Sequence, residues 1–336
     1  MMPMLSQLTF ARNIFLIMKA FVLTKNGGIE NLVLSELPMP EAKPDEVVIR
    51  TRAISINRVD AFVRQNDFAV GVFYKPEPDE GSIVLGWDVS GVVTQVGDAV
   101  TEFKVGDEVF GLVNFFGRGR TNAEYVAAPA AHLAKKPENI SHEEAAGAGL
   151  TALTAWLAIL TYGQVKRDQN VLIHGAAGGV GHFAVQLARM HGARVIGTGS
   201  AESEDFVRRV GADQFVDYRV DRPEKIFVAD LVVDPMPGDH VLRSLEAVRP
   251  GGRVISLLPY DDADGRMAAL VNEKDVYTHR VVVSSNGALM KEIAALLASG
   301  ALKTHVSKIY PFEELPMAHA AIESGKTKGK LIVSLR

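Results

Sequence analysis

The run VLIHGAAGGVG at residues 171–181 is apolar up to Ile173, then turns glycine-rich, and HFAVQLARMHG follows it with helical spacing. A short strand that ends in small residues lets the backbone turn sharply, approach a pyrophosphate closely and aim the unpaired N–H groups of a helix start at it. Ala176, Gly178 and Gly181 fall on the three fingerprint positions, as A-x-G-x-x-G rather than the glycine-first form, with Ala177, Gly179 and Val180 between them. Any glycine-rich strand-to-helix turn reproduces such a pattern, so the flanks matter. Val180, Phe183, Ala184, Leu187 and Ala188 share one helical face, Gly192 supplies a stop, and ARVIGTGS reads as a second strand. The segment is therefore expected to be a strand, helix, strand unit that binds a dinucleotide.

The rest of the chain divides around this unit. From Lys19 to about Pro137 the runs KAFVLT, LVLSEL, EVVIRTRAISIN, VSGVVTQVG, DEVFGLV and AEYVAAP are apolar, often β-branched, and separated by Gly, Pro, Asn and Asp, which predicts a small barrel-like β domain. From Ala145 to about Val283 the strands VLIHG, RVIGTG, QFVDY, LVVDP, RVISLL and VVVS alternate with helical stretches, the mark of a parallel, doubly wound sheet. Gly211, the pair Gly251 and Gly252, and Gly300 close the helices EDFVRRV, HVLRSLEAVRP and MKEIAALLAS. HVSKIYPF, ELPMAHAAIESG and KLIVSL are expected to return to the first domain.

Composition removes several function classes. With 36 basic against 40 acidic residues the net charge is −4, so nothing favours nucleic acid or an anionic membrane. There is no cysteine, which excludes disulfides, thiolate nucleophiles and sulfur-built zinc sites, and suits a reducing, cytoplasmic setting. The uncharged run between Glu144 and Lys166 is long enough to raise a membrane span, but its threonines, glycine and glutamine point to a buried interdomain helix. Residues 1–17 carry one charge, Arg12, and no cleavage site; they read as an upstream extension or a misassigned start, with a mitochondrial leader as a third reading.

Several motifs occur in order: INRVD at 56–60, LGWDVSGVVTQVG at 85–97, VGDEVFGL at 105–112, AEYV at 123–126, GLTALTAWLAI at 149–159, the glycine loop, GADQFVDYR at 211–219 and GKTKGKLIVSL at 325–335. Together they resemble the medium-chain dehydrogenase/reductase superfamily, and within it the zinc-free quinone oxidoreductase branch that includes zeta-crystallin. The resemblance implies an α/β fold with two parts. One is a GroES-like β-barrel-type catalytic domain from residues 18–143 and 286–336, the other a doubly wound Rossmann NADP(H)-binding domain at 144–285. Zinc-dependent relatives use a cysteine near Asn57 and Gly-His-Glu near Gly86; here Asn57 and Gly86-Trp87-Asp88 stand there, so no metal site is expected.

NAD-specific sites carry Asp or Glu at the tip of the second strand. Gly199 falls at that tip here, followed by Ser200, which admits a 2′-phosphate and favours NADP(H), although Glu202 and Glu204 lie just beyond. The resemblance adds Tyr218 and Arg219 as phosphate or adenine contacts, and Lys330 as a further candidate. It also implies that Asn57 and Thr154 border the nicotinamide or its ribose and that Asp60 holds Asn57 in place. Each has a plain alternative: Asn57 a turn residue, Asp60 a helix cap, Thr154 a core hydroxyl bonded to its own helix. Phe73, Tyr74, Asn114, Phe115 and Phe116 are expected to line a slot for a flat acceptor, with Tyr74 or water as proton source. The implied activity is NADPH-dependent reduction of a small-molecule quinone or α,β-unsaturated carbonyl by a homodimer that pairs through VYTHRVVVSS at 276–285. A nucleotide-binding sensor or structural protein whose catalysis has lapsed is the alternative of a different class.

Overall fold

The computed structural model describes residues 16–78, 80–260, 262 and 264–335. Six parallel strands form one sheet in the spatial order Gln214–Asp217, Arg194–Gly199, Asn170–Ile173, Ala229–Asp234, Val248–Ser256 and Tyr277–Arg280. Numbered along the chain this is 3-2-1-4-5-6, so the order reverses between the first strand and the fourth. Helices cover both faces, and Val171, Leu172 and Ile173 at the centre are wholly buried. The crevice at the reversal lies at the carboxyl ends of Asn170–Ile173 and Ala229–Asp234, where open sheets of this kind bind ligands.

Two expected boundaries move. The last strand is Tyr277–Arg280 rather than the VVVS run beyond it, because the backbone of Val281 turns away after bonding Ser256. The helix His240–Ala247 also stops before the glycines, and Val248–Ser256 is already strand, its irregular register spanning Pro250, Gly251 and Gly252.

The remaining strands form a seven-stranded sheet and a three-stranded one. In the larger, Val306–Pro311, Lys330–Ser334, Glu46–Ile56, Asp88–Val96, Glu108–Leu112 and Leu133–Lys135 lie side by side, and Tyr125–Pro129 pairs separately with Glu46–Ile56. The strand Lys330–Ser334 runs antiparallel to Glu46–Ile56 and brings the chain back to its first half, as expected. The smaller sheet orders Leu32–Pro38, Ile17–Leu23 and Ile83–Val84, and the bridge between Ala20 and Ala123 ties it to its neighbour. The reading of residues 1–17 as extra sequence lies, up to residue 15, outside the described residues.

The uncharged run folds as the helices His142–Gly147 and Gly149–Trp156 and a wider turn at Leu157–Thr161. Ser141 caps the first, its hydroxyl accepting from Glu144 N–H while the Glu144 carboxylate accepts from Ser141 N–H. Ala152, Leu153, Ala155, Ala158 and Ile159 are fully buried between the two large sheets' cores. Among the described residues no helix is long and apolar enough to cross a membrane.

Candidate active site

The glycine loop occupies residues 174–180, between the strand Asn170–Ile173 and the helix Gly181–Met190. Its turn is opened by Gly175 at φ +59°, one residue ahead of Ala176, which stands at the first fingerprint position. The Gly175 carbonyl accepts from Gly178 N–H at 2.9 Å, and a Cβ on Gly181 would lie 2.3 Å from that same oxygen. Gly181 is therefore demanded by close packing of the helix start on the turn. A Cβ on Gly178 would meet nothing but that oxygen, at 3.2 Å, and otherwise points into open space. That space, beside the first turn of a ten-residue helix, is the cradle an anionic diphosphate requires. Ala176 is buried and bonded through its N–H to Thr198 O at 2.9 Å, a packing role.

Two histidines flank the loop as neutral packed side chains. Burial pulls His182 down to about 3; its Nδ1–H donates to Gly178 O at 3.0 Å and its Nε2 accepts from His305 N–H at 3.4 Å. His174, pulled down to about 4 by burial, lies edge-on to His240 with ring centroids 4.7 Å apart.

At the tip of the second strand stands Gly199, which carries no acidic side chain, and a Cβ there would displace Ser203 Oγ, 2.2 Å away. Ser200 opens the following turn, and Tyr218, mostly exposed, donates its N–H to Gly199 O at 3.2 Å. Arg219 lies 5.9 Å from the Tyr218 ring and bonds Glu202 Oε1 at 3.2 Å, while Lys328 Nζ donates to the Glu202 carbonyl. The Ser200 hydroxyl and Arg219 together hold the Glu202 carboxyl down at about 2. Lys328 is the basic residue sequence reasoning missed at this tip; a lysine four residues into a GKTKGK tail carries no signal of where it lands.

Lys330, a further candidate beside the phosphate or adenine contacts Tyr218 and Arg219, bonds Asn57 instead. Gly329, at φ +74°, reverses the backbone between the two lysines, and a Cβ there would strike His305 O at 2.2 Å. Lys330 is consequently 2% exposed. Its ammonium donates to Asn57 Oδ1 and lies 3.9 Å from Asp88 Oδ2, both at the end of the seven-stranded sheet.

Asn57 ends the strand Glu46–Ile56 and caps the helix Arg58–Gln65. Asp60, one turn into that helix, accepts from Asn57 N–H at 2.7 Å, so the cap reading and the holding role describe one contact. Asn57 Nδ2 donates to Asp88 Oδ2 at 2.9 Å, and Asp88 Oδ1 accepts from Leu150 N–H at 2.7 Å at the start of the helix Gly149–Trp156. Asp60 and Asp88 are fully buried. Burial pushes Asp60 up to about 7, against the bond from Asn57, and raises Asp88 against the pull of Lys330. Burial also lowers Lys330. Thr154 is one turn beyond Leu150 along its helix and its hydroxyl donates to Leu150 O at 2.7 Å, the bond of the plain alternative.

The aromatic slot is partly assembled. Phe73 and Phe116 rings are 4.9 Å apart, Phe115 and Phe116 4.5 Å, and Trp87 meets Phe115 edge-on at 5.3 Å. Tyr74 does not join them: it is wholly buried, its hydroxyl donates to Glu80 at 2.5 Å, and burial raises it above the ordinary tyrosine range. A phenol so held is a structural anchor, which corrects its expected part as a proton source. A cavity of about 950 Å³ bounded by Asn114, Phe115, Phe116, Arg118 and Lys75 opens on the outer side of this cluster, and none of its lining belongs to the glycine loop or the Asn57 cluster.

Among the described residues no group of three or more His, Cys, Asp or Glu side chains is placed to hold a metal ion. Asn57 Oδ1 faces an ammonium and both Asp88 oxygens are engaged, so the residues at this position do not fit a divalent cation. The glycine cradle, the reversal of strand order and the buried polar cluster beside it together define a two-part dehydrogenase-type nucleotide enzyme.

Known proteins narrow this class. Residues 43–138 match the family described as alcohol dehydrogenase GroES-like domain, and residues 210–333 the one described as zinc-binding dehydrogenase. The chain is 33% identical over 333 residues to the NADPH-dependent alkenal/one oxidoreductase, chloroplastic, of Arabidopsis thaliana, covering 94% of this chain and 79% of the relative. It is 30% identical over 339 residues to the quinone oxidoreductase of Sus scrofa, covering 95% and 98%. The solved quinone oxidoreductase from Coxiella burnetii superposes with a TM-score of 0.85 at 28% identity, covering 96% and 100%. The chain belongs to the medium-chain dehydrogenase/reductase superfamily, in its quinone oxidoreductase branch, and is an oxidoreductase.

Proposed function

We propose that the protein transfers hydride from NADPH to a quinone or an α,β-unsaturated carbonyl without zinc. The observation that carries this reading is the position beside Asn57, where a lysine ammonium takes the space and the lone pairs a metal would need. Bound NADPH supplies the hydride, and the protein's residues bind, orient and exclude water. The loop amides around Gly178 take the diphosphate, and Gly181 lets the helix start approach it. Asn57, held on both sides of its amide, borders the nicotinamide end. The relatives' names, one a quinone oxidoreductase and one an NADPH-dependent alkenal/one oxidoreductase, support both the cofactor and the acceptor class.

Preference for NADPH rests on the strand tip, where Ser200, Tyr218, Arg219 and Lys328 surround Gly199, a position with no acidic side chain. Glu202 occupies Arg219 and opposes a 2′-phosphate. Glu202→Gln is therefore expected to lower KM for NADPH about fivefold, the size of one exposed charge interaction, and to leave KM for NADH unchanged. An equal change for both coenzymes would remove Arg219 from the phosphate site.

The experiment for the whole reading is steady-state oxidation of NADPH and NADH against 1,4-benzoquinone, phenanthrenequinone and an alkenal, with metal content of the same sample. Turnover with NADPH in metal-free protein supports it. Tight NADPH binding with no turnover on any acceptor would favour a lapsed, sensing protein. The edge strand Tyr277–Arg280 has one side without a pairing strand among the described residues, which supports a homodimer through that edge.

A further inference from the structure

Lys330 connects the glycine loop with Asn57. Its neighbour Gly329 donates its N–H to Ala177 O, inside the glycine loop, at 2.8 Å. Its aliphatic stem runs beneath Gly179, where an added Cβ would lie 3.3 Å from Lys330 Cδ. Its ammonium then ends on Asn57 Oδ1. From Asn57 the chain of bonds continues through Nδ2 to Asp88 and on to Leu150 N–H. The amide of Asn57 is thus oriented by charge: reversing it would set its NH2 against an ammonium and its oxygen against a carboxylate. The charged and titratable groups facing the ammonium are Asp88, Asp60 and the neutral His182.

Stability alone gives no reason for this arrangement. A buried ion pair is commonly replaced by apolar residues of similar volume at no loss, or with a gain, because desolvation cancels the attraction.

Building on the hydride-transfer reading above, we infer that Lys330 is a positioning residue of the reaction site, which fixes the Asn57 amide and braces it against the dinucleotide loop. It acts through Asn57 and touches neither the diphosphate nor the 2′-phosphate.

The test uses the full chain as Lys330→Met, Asp88→Asn and the double variant Lys330→Met with Asp88→Asn, read by thermal unfolding, NADPH titration and steady-state kinetics. Lys330→Met is expected to bind NADPH as the parent does and to lose about 100-fold in kcat, the cost of a reaction site displaced by about an ångström. Each single variant leaves a buried charge unpaired and unfolds earlier; the double variant recovers that stability but stays as slow as Lys330→Met. Added ethylammonium restores part of the kcat of Lys330→Ala, and tetramethylammonium, which has no N–H to donate, does not.

Recovery of turnover together with stability in the double variant would show a merely structural pair and overturn the inference. A raised KM for NADPH with kcat intact would overturn it too, returning Lys330 to the cofactor phosphates. Should the parent protein fail to oxidise NADPH with any of the three acceptors, the functional reading fails and takes this inference with it; a parent that turns over beside equally fast variants overturns the inference alone.

Discussion

Gly178→Val is expected to weaken NADPH binding by at least about 100-fold, roughly 2.7 kcal/mol, while the protein folds and melts nearly as before. The two halves of this expectation come from different atoms. Toward the protein, an added Cβ meets a single oxygen, Gly175 O, at 3.2 Å, which a shift of a few tenths of an ångström relieves. Toward solvent, the branched side chain fills the space a diphosphate must enter to reach the loop amides. Gly181→Val is the contrasting case. Its Cβ would sit 2.3 Å from Gly175 O and 2.7 Å from Ala176 Cα, both backbone, so the strand-to-helix packing itself has to open. Titration of coenzyme fluorescence beside calorimetric unfolding separates the two, and full NADPH affinity in folded Gly178→Val would place the diphosphate elsewhere.

Asp60→Asn is expected to make the protein more stable at pH 8 and to flatten its pH dependence. Burial pushes this carboxyl from 3.8 up to about 7 in the folded state. Between those values the folded protein holds a proton that the unfolded chain has released, so stability falls as pH rises from about 4 to about 7. The shift of about three units corresponds to some 3 to 4 kcal/mol at most, with the opposing pull of Lys330 already counted in it. Asparagine at 60 keeps an oxygen for Asn57 N–H and removes the charge from a carboxyl whose Oδ1 is buried with no partner among the described residues. Urea unfolding of both proteins at pH 5 and pH 8 checks this; the parent gaining stability over that interval, or the variant keeping the same slope, would mean that Asp60 stays ionised throughout.

The parallel sheet was legible because its signals are local. Apolar runs with glycine stops between 171 and 256 declare strand and helix periods within a few residues, and their alternation implies a parallel, doubly wound sheet, whose strand order the structure supplies. Asn57, Asp60 and the glycine loop were likewise named from the residues and the family motifs. Lys328 and Lys330 were not separable, since one left-handed glycine decides that the first meets the strand tip and the second enters the interior. Tyr74 failed for a similar reason. Its partner, Glu80, stands six residues away beyond a turn, and no periodicity announces a hydroxyl that has already been spent. Gly175 was within the run that drew attention first, but a row of glycines does not say which one takes positive φ.

The seven-stranded sheet joins residues 46–56 to residues 330–334, separated by the entire parallel domain. During synthesis the earlier strand must therefore leave the ribosome and wait, its flank unpaired from Ala53 to Ile56, until nearly all the remaining chain has been made. A polypeptide cut before Lys330 would keep the six parallel strands but carry an open sheet edge and two buried aspartates lacking their cation, a natural substrate for chaperones or proteases.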